Sequence, residues 1–463
     1  MCLMQNIVED VYPADLAQLR LSIHAEEIGL SIKVSGLSDK LPRLLEVVVA
    51  RLATFATDIT EQLFQAVVEQ QRKNYHNHAI KAKLLVRDVR LSLLQDVFHP
   101  AHARHGLVRR CTLEQLRAFA GRLVGGVYLQ GLVQGNISRQ AAARLDAGLR
   151  QALGVRPMQE GAVTELRCRR LPEGETAVVR VAGLDTTDAN TLVTNYYQAG
   201  PGDLQLHATM EAIVMMMEEP VFDRLRTQEQ LGYSVSITLR NTHGIMGMSV
   251  TVNTQATKFT PHHVDQRIEA FFEDFLETKL TEERVEEAVA ALVKLKLRTD
   301  VTLEEEVSRN WNEIHSKEFL FDRALREVEA LSKVTVEGVR ACLEPLLQTK
   351  LSVQVGWEES SLVFHGRALF CQDSWLVYVE LVVRSFRPLA GGGQFEPCRG
   401  PGDRGGGGGG GAGAGVPGGR GPAGHARGVE GGPAPLPCGL YHTIMCTIII
   451  ARNPNQWLIK LQL

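Results

Sequence analysis

The chain carries one pattern twice, as IGLSIKV at residues 28–34 and as MGMSVTV at residues 246–252. In both copies apolar residues alternate with polar or small ones, and this alternation predicts a β-strand with one buried face. A second alternating segment precedes each strand, at residues 21–24 in the first copy and at residues 233–239 in the second. Each copy therefore predicts a β-hairpin.

The similarity continues beyond the hairpins with almost the same spacing between the two copies. Three further features recur: a long amphipathic helix (40–55 and 262–279), the start of another helix (60–63 and 281–284), and a closing strand (132–135 and 353–356). At the first of these helix starts, Asp58 and Glu61 fit a capping-box pattern. The second copy alone begins with two more predicted strands, 176–181 and 190–198, and a long helix over 203–226.

A repeat of this length indicates the duplication of a whole domain, because solenoid repeats are far shorter. We predict an α+β protein with two homologous domains, each a mostly antiparallel sheet packed on several helices. The first domain, residues 1–172, is shortened because it lacks the opening strands. The second domain, residues 173–357, is complete.

Residues 358–463 are predicted to form a divergent tail. Glycine dominates it from Gly391 to Gly439, with an unbroken run over Gly405–Gly411. Such a composition cannot bury enough apolar surface to offset its chain entropy, so we predict that this tail is disordered and that residues beyond about Pro388 are removable. A phosphate-binding loop is the alternative for a glycine run, but the Gly-Lys-Ser/Thr ending of that motif is missing.

The composition is that of a soluble globular protein, with 44% hydrophobic and 22% charged residues and a net charge of -3. This charge gives no general basic surface, so nucleic acid is not an expected partner. No apolar run reaches the roughly 18 residues of a membrane-spanning helix. The eight cysteines are scattered and form no C-x-x-C pair. They favour free thiols in a reducing compartment, and we predict a cytoplasmic location.

No metal site and no catalytic residue are predicted in this chain. Zinc peptidases bring two histidines and a glutamate together on one helix. The nearest fragment, HAEEI at residues 24–28, has Ile28 where the second histidine should stand. Three histidines recur every third residue across residues 99–105, but Pro100 interrupts them and nearby arginines would repel a cation. We interpret that segment as a solvated loop.

The segment FDRLRTQEQLGY, residues 222–233, contains the candidate substrate-binding residues. A helix is predicted to end near Gln230, with Gly232 supplying the turn. Arg226 falls in the last helical turn, where its charge complements the carbonyl end of the helix, and that role alone would explain it. The functional alternative is that Arg226 and Tyr233 bind a peptide, because a guanidinium and a phenol can hold a substrate carbonyl or stabilise an oxyanion.

This segment resembles the R-T-x-x-x-L-G-Y signature in the last domain of the pitrilysin family of zinc metallopeptidases, which includes insulin-degrading enzyme. The resemblance extends over residues 7–356 and is greatest to the nardilysin branch of the family. Other matching motifs are NYYQ (195–198), MEEP (217–220), RNTHGI (240–245) and EEVSRNWNE (305–313).

The resemblance implies a peptidase of four homologous domains in two halves that close around a peptide. This chain then corresponds to the carboxy-terminal, substrate-chamber half, inactive by itself, with zinc and the H-x-x-E-H motif in the catalytic half that it lacks. It also implies that Arg226 and Tyr233 reach the substrate, and that the peptides are cut at dibasic sites. The implied partners are a peptide substrate and an amino-terminal peptidase half or another protein. A non-catalytic peptide- or protein-binding module derived from the peptidase is the alternative, and so is a truncated product that does not fold stably.

Overall fold

A computed structural model describes residues 11–25, 29–37, 39–124, 128–154, 166–185 and 187–356. Beyond these it describes the short segments 379–384, 397–398, 443–452, 457–458 and 460–461. Helices and strands alternate along the chain, and the predicted α+β class is confirmed. None of the helices in the described part is long and apolar enough to cross a lipid bilayer.

The first repeat supplies a hairpin, a closing strand and several helices among its described residues. In chain order its elements are α1 (Val11–Leu16), β1 (Arg20–Ala25), β2 (Gly29–Leu37), α2 (Leu41–Asp58), α3 (Glu61–Ala79), α4 (Ala82–Leu94), α5 (Ala101–Val108), α6 (Leu113–Val124), β3 (Tyr128–Gly135) and α7 (Arg139–Ala152). The predicted hairpin forms, since β1 pairs antiparallel with β2 and Ile23 lies opposite Ile32. Both isoleucines are fully buried, in one core with Leu45 and Val48 of α2.

The second repeat follows the same order after its additional strands. The short strand β4 (Cys168–Arg169) precedes it. Its elements are β5 (Thr176–Ala182), β6 (Asn190–Pro201), α8 (Leu204–Val221), a π-helix (Phe222–Gln228), β7 (Ser234–Thr242), β8 (Ile245–Gln255), α9 (Pro261–Asp274), a second π-helix (Phe275–Lys279), α10 (Glu282–Lys296), α11 (Leu303–His315), α12 (Arg323–Leu331), α13 (Val336–Gln348) and β9 (Lys350–Gly356). Its core lies between the sheet and α8 and α9, where Tyr197, Met217, Val250 and Phe271 are buried together.

The predicted helix starts are confirmed, but the predicted capping box is wrong. Thr60 is the N-cap of α3, and its hydroxyl accepts a hydrogen bond from the backbone N–H of Leu63. Asp58 instead ends α2, where its carboxylate accepts a hydrogen bond of 2.6 Å from the Thr54 hydroxyl. Thr60 takes the cap because it directly precedes the helix and has an extended backbone.

Strands from beyond residue 356 join the two large sheets. The second sheet has the order β7-β8-β6-β9-β5-β10, in which β10 (Val379–Arg384) pairs with β5. The first sheet has the order β1-β2-β12-β3-β14, in which β12 (Thr443–Arg452) lies between β2 and β3 and β14 (Lys460–Leu461) lies beyond β3. Two shorter strands complete the described elements, β11 (Pro397–Cys398) and β13 (Trp457–Leu458).

For these strands the structure differs from the expectation of a tail without order. The expectation rested on the glycine-rich composition, which ends before Thr443. The glycine-dominated stretch itself, residues 391–439, lies outside the described residues except for β11.

One helix of each repeat packs on the sheet of the other repeat. Helix α4 buries Leu85, Val86 and Val89 in a core shared with Val353 of β9. In return, α11 lies against β3, where the Asn310 side chain donates a hydrogen bond of 3.0 Å to the Gln134 side chain. In the sequence, α4 and α11 are separated by the same number of residues as the equivalent positions of the closing strands β3 and β9. The two helices are therefore equivalent elements of the repeat.

Candidate functional site

The segment with the candidate binding residues is a π-helix that continues α8. The helix α8 contains the buried Pro220, ends at Val221 and passes directly into the π-helix Phe222–Gln228. Leu225 is fully buried, and its carbonyl accepts a hydrogen bond from the Leu231 N–H at 2.9 Å, which fixes the exit of the π-helix. Such π turns are rare and recur at functional sites. The sequence predicted a helix here but gave no sign of its π geometry.

Arg226 lies between two aromatic rings at this exit. Its guanidinium carbon is 4.5 Å from the centre of the Phe222 ring and 5.0 Å from the centre of the Tyr233 ring. Tyr233 is 83% exposed and Phe222 is 41% exposed, so the group faces solvent. Among the described residues no carboxylate forms an ion pair with Arg226. The structure therefore brings the two predicted binding residues together.

The turn before Tyr233 has room for no residue larger than glycine. A Cβ atom added to Gly232 would lie 1.9 Å from the carbonyl oxygen of Asn253 in β8. Gln230, shortly before it, has a positive φ of 51°, which marks the tight reversal out of the π-helix. The close approach of the Gly232 backbone to β8 thus determines where the Tyr233 ring stands.

A charged network supports the π-helix from the side of α9. Glu229 accepts hydrogen bonds from Arg267 at 2.6 and 2.7 Å and from Arg224 at 3.0 Å. Arg224 also pairs with Asp274 at 2.6 Å. Burial acts to raise the pKa of Glu229, but the hydrogen bonds from the two arginines outweigh it and lower that pKa. Glu229 therefore stays ionised and ties the end of the π-helix to α9.

This arrangement leaves the edges of the Arg226 guanidinium available to a ligand. The guanidinium carbon lies over the faces of both rings, and a ring face does not replace a hydrogen-bond acceptor for the N–H groups. A planar guanidinium held in this way can donate several N–H groups to one acceptor, such as a peptide carbonyl or a carboxylate. The Tyr233 hydroxyl adds a phenolic donor at an exposed position.

A cluster of possible metal ligands lies apart from this site. His207 and Glu211 on α8 and Glu327 on α12 form the one group of three such residues in the described part of the chain with ligand atoms within 4.8 Å of one another. However, the Nζ atom of Lys296 is 2.8 Å from a carboxylate oxygen of Glu211 and 2.8 Å from one of Glu327. An ammonium group already bridges the two carboxylates, so these residues do not fit a zinc ion.

The charge state of Lys296 supports this conclusion. Burial acts to lower its pKa, but the hydrogen bonds to Glu211 and Glu327 outweigh burial and raise that pKa. The ammonium therefore remains charged and would repel a divalent cation between the carboxylates. The sequence did not suggest this cluster, because its members come from separate helices.

The histidines at residues 99–105 do not form the loop that the sequence suggested. Pro100 is the N-cap of α5, and the helix contains His102 and His105. His105 is buried, and its ring centre lies 5.8 Å from that of His76 on α3. Burial lowers the pKa of both His102 and His105 and favours neutral imidazoles. The expectation of a loop is wrong because Pro100, which was read as an interruption, starts the helix.

Comparisons with known proteins agree with the fold and with the motifs. Residues 1–104 match a family model described as the middle or third domain of peptidase M16, and residues 212–311 match one described as PQQ synthase PqqF-like, C-terminal lobe domain 4. Human nardilysin is 40% identical over 332 residues, which are 71% of this chain. The chain belongs to the M16 peptidase family.

Other M16 proteins show more distant similarity. Human insulin-degrading enzyme is 27% identical over 346 residues, which are 73% of this chain. The crystal structure of pitrilysin superposes on 76% of this chain with a TM-score of 0.61 at 17% identity. The nardilysin match confirms the M16 relationship on the nardilysin branch, and the pitrilysin superposition confirms the pitrilysin-type fold that the motifs predicted.

The chain spans only a minor part of these three relatives. It covers 29% of human nardilysin, 33% of human insulin-degrading enzyme and 38% of the pitrilysin chain. The matched models describe a third domain and a fourth domain, so the chain corresponds to the carboxy-terminal half of an M16 peptidase.

Proposed function

We propose that this chain is the substrate-facing half of an M16 zinc endopeptidase and that it binds peptides without hydrolysing them by itself. The zinc and the residues that activate water belong to an amino-terminal half, by analogy with the family. Dibasic peptides are the proposed substrates because of the similarity to nardilysin. The free thiols of Cys111 and Cys342 are consistent with the cytoplasm as the proposed compartment.

The observation that carries the proposal is the placement of Arg226 between Phe222 and Tyr233. Arg226 is a half-buried cation that two aromatic rings contact and that forms no ion pair with a carboxylate in the described part of the chain, so its N–H groups can serve an acceptor on a ligand. It is suited to hold the backbone of an extended peptide, because carbonyl oxygens accept hydrogen bonds from the guanidinium edge. The Tyr233 hydroxyl is then placed to stabilise an oxyanion that develops on the scissile carbonyl.

The first experiment measures peptide binding by the full chain. Fluorescence anisotropy of a labelled peptide with one Arg-Lys pair gives the dissociation constant for the chain and for Arg226→Ala and Tyr233→Ala. We expect each substitution to weaken binding about tenfold, since each removes a contact to the peptide. Arg326→Ala and Phe321→Ala are matched controls at exposed positions of the second repeat and are expected to bind normally.

The second experiment distinguishes the peptidase from its alternative, a peptide-binding module. The chain is mixed with the amino-terminal half of a nardilysin, which carries the zinc motif, and cleavage of the same peptide is followed. We expect Tyr233→Phe to lower kcat about a hundredfold with little change in the dissociation constant, because the lost hydrogen bond forms in the transition state. If the mixture cleaves nothing while the chain alone binds the peptide, the binding module is the correct function. Normal kcat in Tyr233→Phe would remove the catalytic role of this hydroxyl.

A further inference from the structure

The two large sheets have the same architecture, but they obtain their inner strands from different parts of the chain. In the second sheet β6 lies between β8 and β9, antiparallel to both, and β5 lies beyond β9 and parallel to it. In the first sheet β12 lies between β2 and β3, antiparallel to both, and β14 lies beyond β3 and parallel to it. The C-terminal strands β12 and β14 therefore take the places of β6 and β5.

The register on the hairpin side gives one alignment of β12 with β6. Val34 of β2 and Val252 of β8 are equivalent residues, because each ends its copy of the repeated pattern. Cys446 of β12 lies opposite Val34, and Val193 of β6 lies opposite Val252. Cys446 therefore corresponds to Val193.

The register on the other side gives the same alignment independently. Leu132 of β3 and Val353 of β9 are equivalent residues of the two closing strands. Thr447 of β12 lies opposite Leu132, and Thr194 of β6 lies opposite Val353. Thr447 therefore corresponds to Thr194, the next residue along each strand. A strand placed in the gap without regard to register would not satisfy both sides, because a slip of one residue exchanges the two faces of the strand.

The composition of β12 is suited to a central strand. Most residues of Thr443–Arg452 are isoleucine or threonine, and the segment contains neither glycine nor proline. Without it β2 and β3 would each present an unpaired edge inside the sheet, and unpaired backbone groups are costly where water is excluded. The strand pairs with both edges along most of its length.

We propose that the gap between β2 and β3 is a strand-acceptor site and that β12, Thr443–Arg452, is its donor strand. The sheet of the first repeat then includes β12 and β14, two strands that follow the second repeat in the chain. The C-terminal segment belongs to the folding unit of the first repeat and is not a removable tail. This inference does not depend on the peptide-binding function.

A matched pair of proline substitutions tests the proposal by hydrogen exchange in the full chain. Proline lacks the N–H group and disrupts a central strand. Thr447→Pro is expected to accelerate exchange in β2 and β3 by about tenfold or more and to leave β8 and β9 protected. Thr194→Pro, at the equivalent position of β6, is expected to give the opposite pattern. Gly409→Pro, within the glycine run, is the control and is expected to change neither sheet. Unchanged exchange of β2 and β3 in Thr447→Pro would overturn the proposal.

A cross-linking experiment tests the register without disturbing the strand. Antiparallel partners have Cα atoms about 4.5–5.5 Å apart, a separation that a disulfide can bridge. Val34→Cys creates a pair with the native Cys446, whereas Lys33→Cys lies opposite Thr447. We expect mild oxidation to link residues 34 and 446, found by peptide mapping, and to give little link from residue 33. No link from residue 34, or equal links from both positions, would show that β12 does not occupy the gap in this register.

Discussion

The Nζ atom of Lys350 lies 2.8 Å from Oε1 of Glu269, between the second sheet and helix α9. It also lies 2.9 Å from Oδ1 of Asp265, and its side chain is only 7% exposed. Tyr197 donates a further hydrogen bond to Glu269 at 2.8 Å. The lysine therefore holds two carboxylates together at the edge of the core.

We expect Lys350→Met to destabilise the protein by about 3 kcal/mol, because it leaves two partly buried carboxylates without their cation. The control is Lys333→Met, which breaks an exposed pair with Glu329 at 3.1 Å and is expected to cost less than about 1 kcal/mol. Urea unfolding of both variants measures the difference. If both variants lose the same free energy of unfolding, the buried network of Lys350 does not stabilise the protein more than an exposed ion pair does.

Gly232→Ala is expected to destabilise the protein and to weaken peptide binding together. The added Cβ would clash with the backbone carbonyl of Asn253, and the turn that carries Tyr233 would have to move. Gly106→Ala is the matched control, since nothing lies within 4 Å of its added Cβ and the site is inside helix α5. There alanine is expected to be neutral or to stabilise by about 0.5–1 kcal/mol. Calorimetry and the anisotropy assay measure both effects, and normal binding by Gly232→Ala would contradict the role of this turn.

Lys296→Met is expected to turn the cluster of His207, Glu211 and Glu327 into a weak zinc site. The substitution removes the ammonium between Glu211 and Glu327 and leaves these two carboxylates beside His207, a donor set that zinc accepts. A zinc-sensitive dye in competition with each protein reports the affinity. The control is the double variant Lys296→Met with Glu327→Gln. It lacks one carboxylate ligand and is expected to bind zinc no more tightly than the native chain. Tight zinc binding by the native cluster would show that the lysine does not exclude the metal.

Glu229→Gln is expected to reduce the loss of folding stability that accompanies a fall in pH from 7 to 3. The pKa of Glu229 in the folded protein is below its ordinary value of about 4.5, so its pairing stabilises the fold above that pH. This contribution is lost as the pH falls through the lowered pKa. The variant should be less stable near pH 7, and the difference should narrow below about pH 4.5. Glu286→Gln, at an exposed position of α10, is the control, and thermal unfolding from pH 3 to 7 measures all three proteins.

The sequence was sufficient for the features that depend on local pattern. Alternation of apolar residues located both hairpins, and Thr60 and Thr281 marked the starts of equivalent helices. The R-T-x-x-x-L-G-Y motif brought attention to Arg226 and Tyr233, and the structure places the two side chains in contact. Whether they bind a substrate stays a prediction.

Other features could not be read from the sequence because they join distant parts of the chain. The network of Lys350 with Asp265 connects strand β9 to a helix that precedes it by several elements, and the cation between Glu211 and Glu327 comes from a third helix. The place of β12, near the C-terminus, depends on a gap between two strands of the first repeat. Local periodicity carries no information about such partners.

Helix α4 of the first repeat packs on the second sheet, and helix α11 of the second repeat packs on the first sheet. This reciprocal packing makes the chain resemble a symmetric homodimer fused into one polypeptide. In a dimer with a two-fold axis, every contact made by one subunit is repeated by the other with the roles reversed. Here Val89 of α4 packs on the second sheet, and Asn310 of α11, which occupies the equivalent position, contacts the first. Substitutions at this interface should therefore come in related pairs at equivalent positions of the two repeats. A chain cut between the repeats should leave two fragments that bind each other and that do not persist as separate monomers.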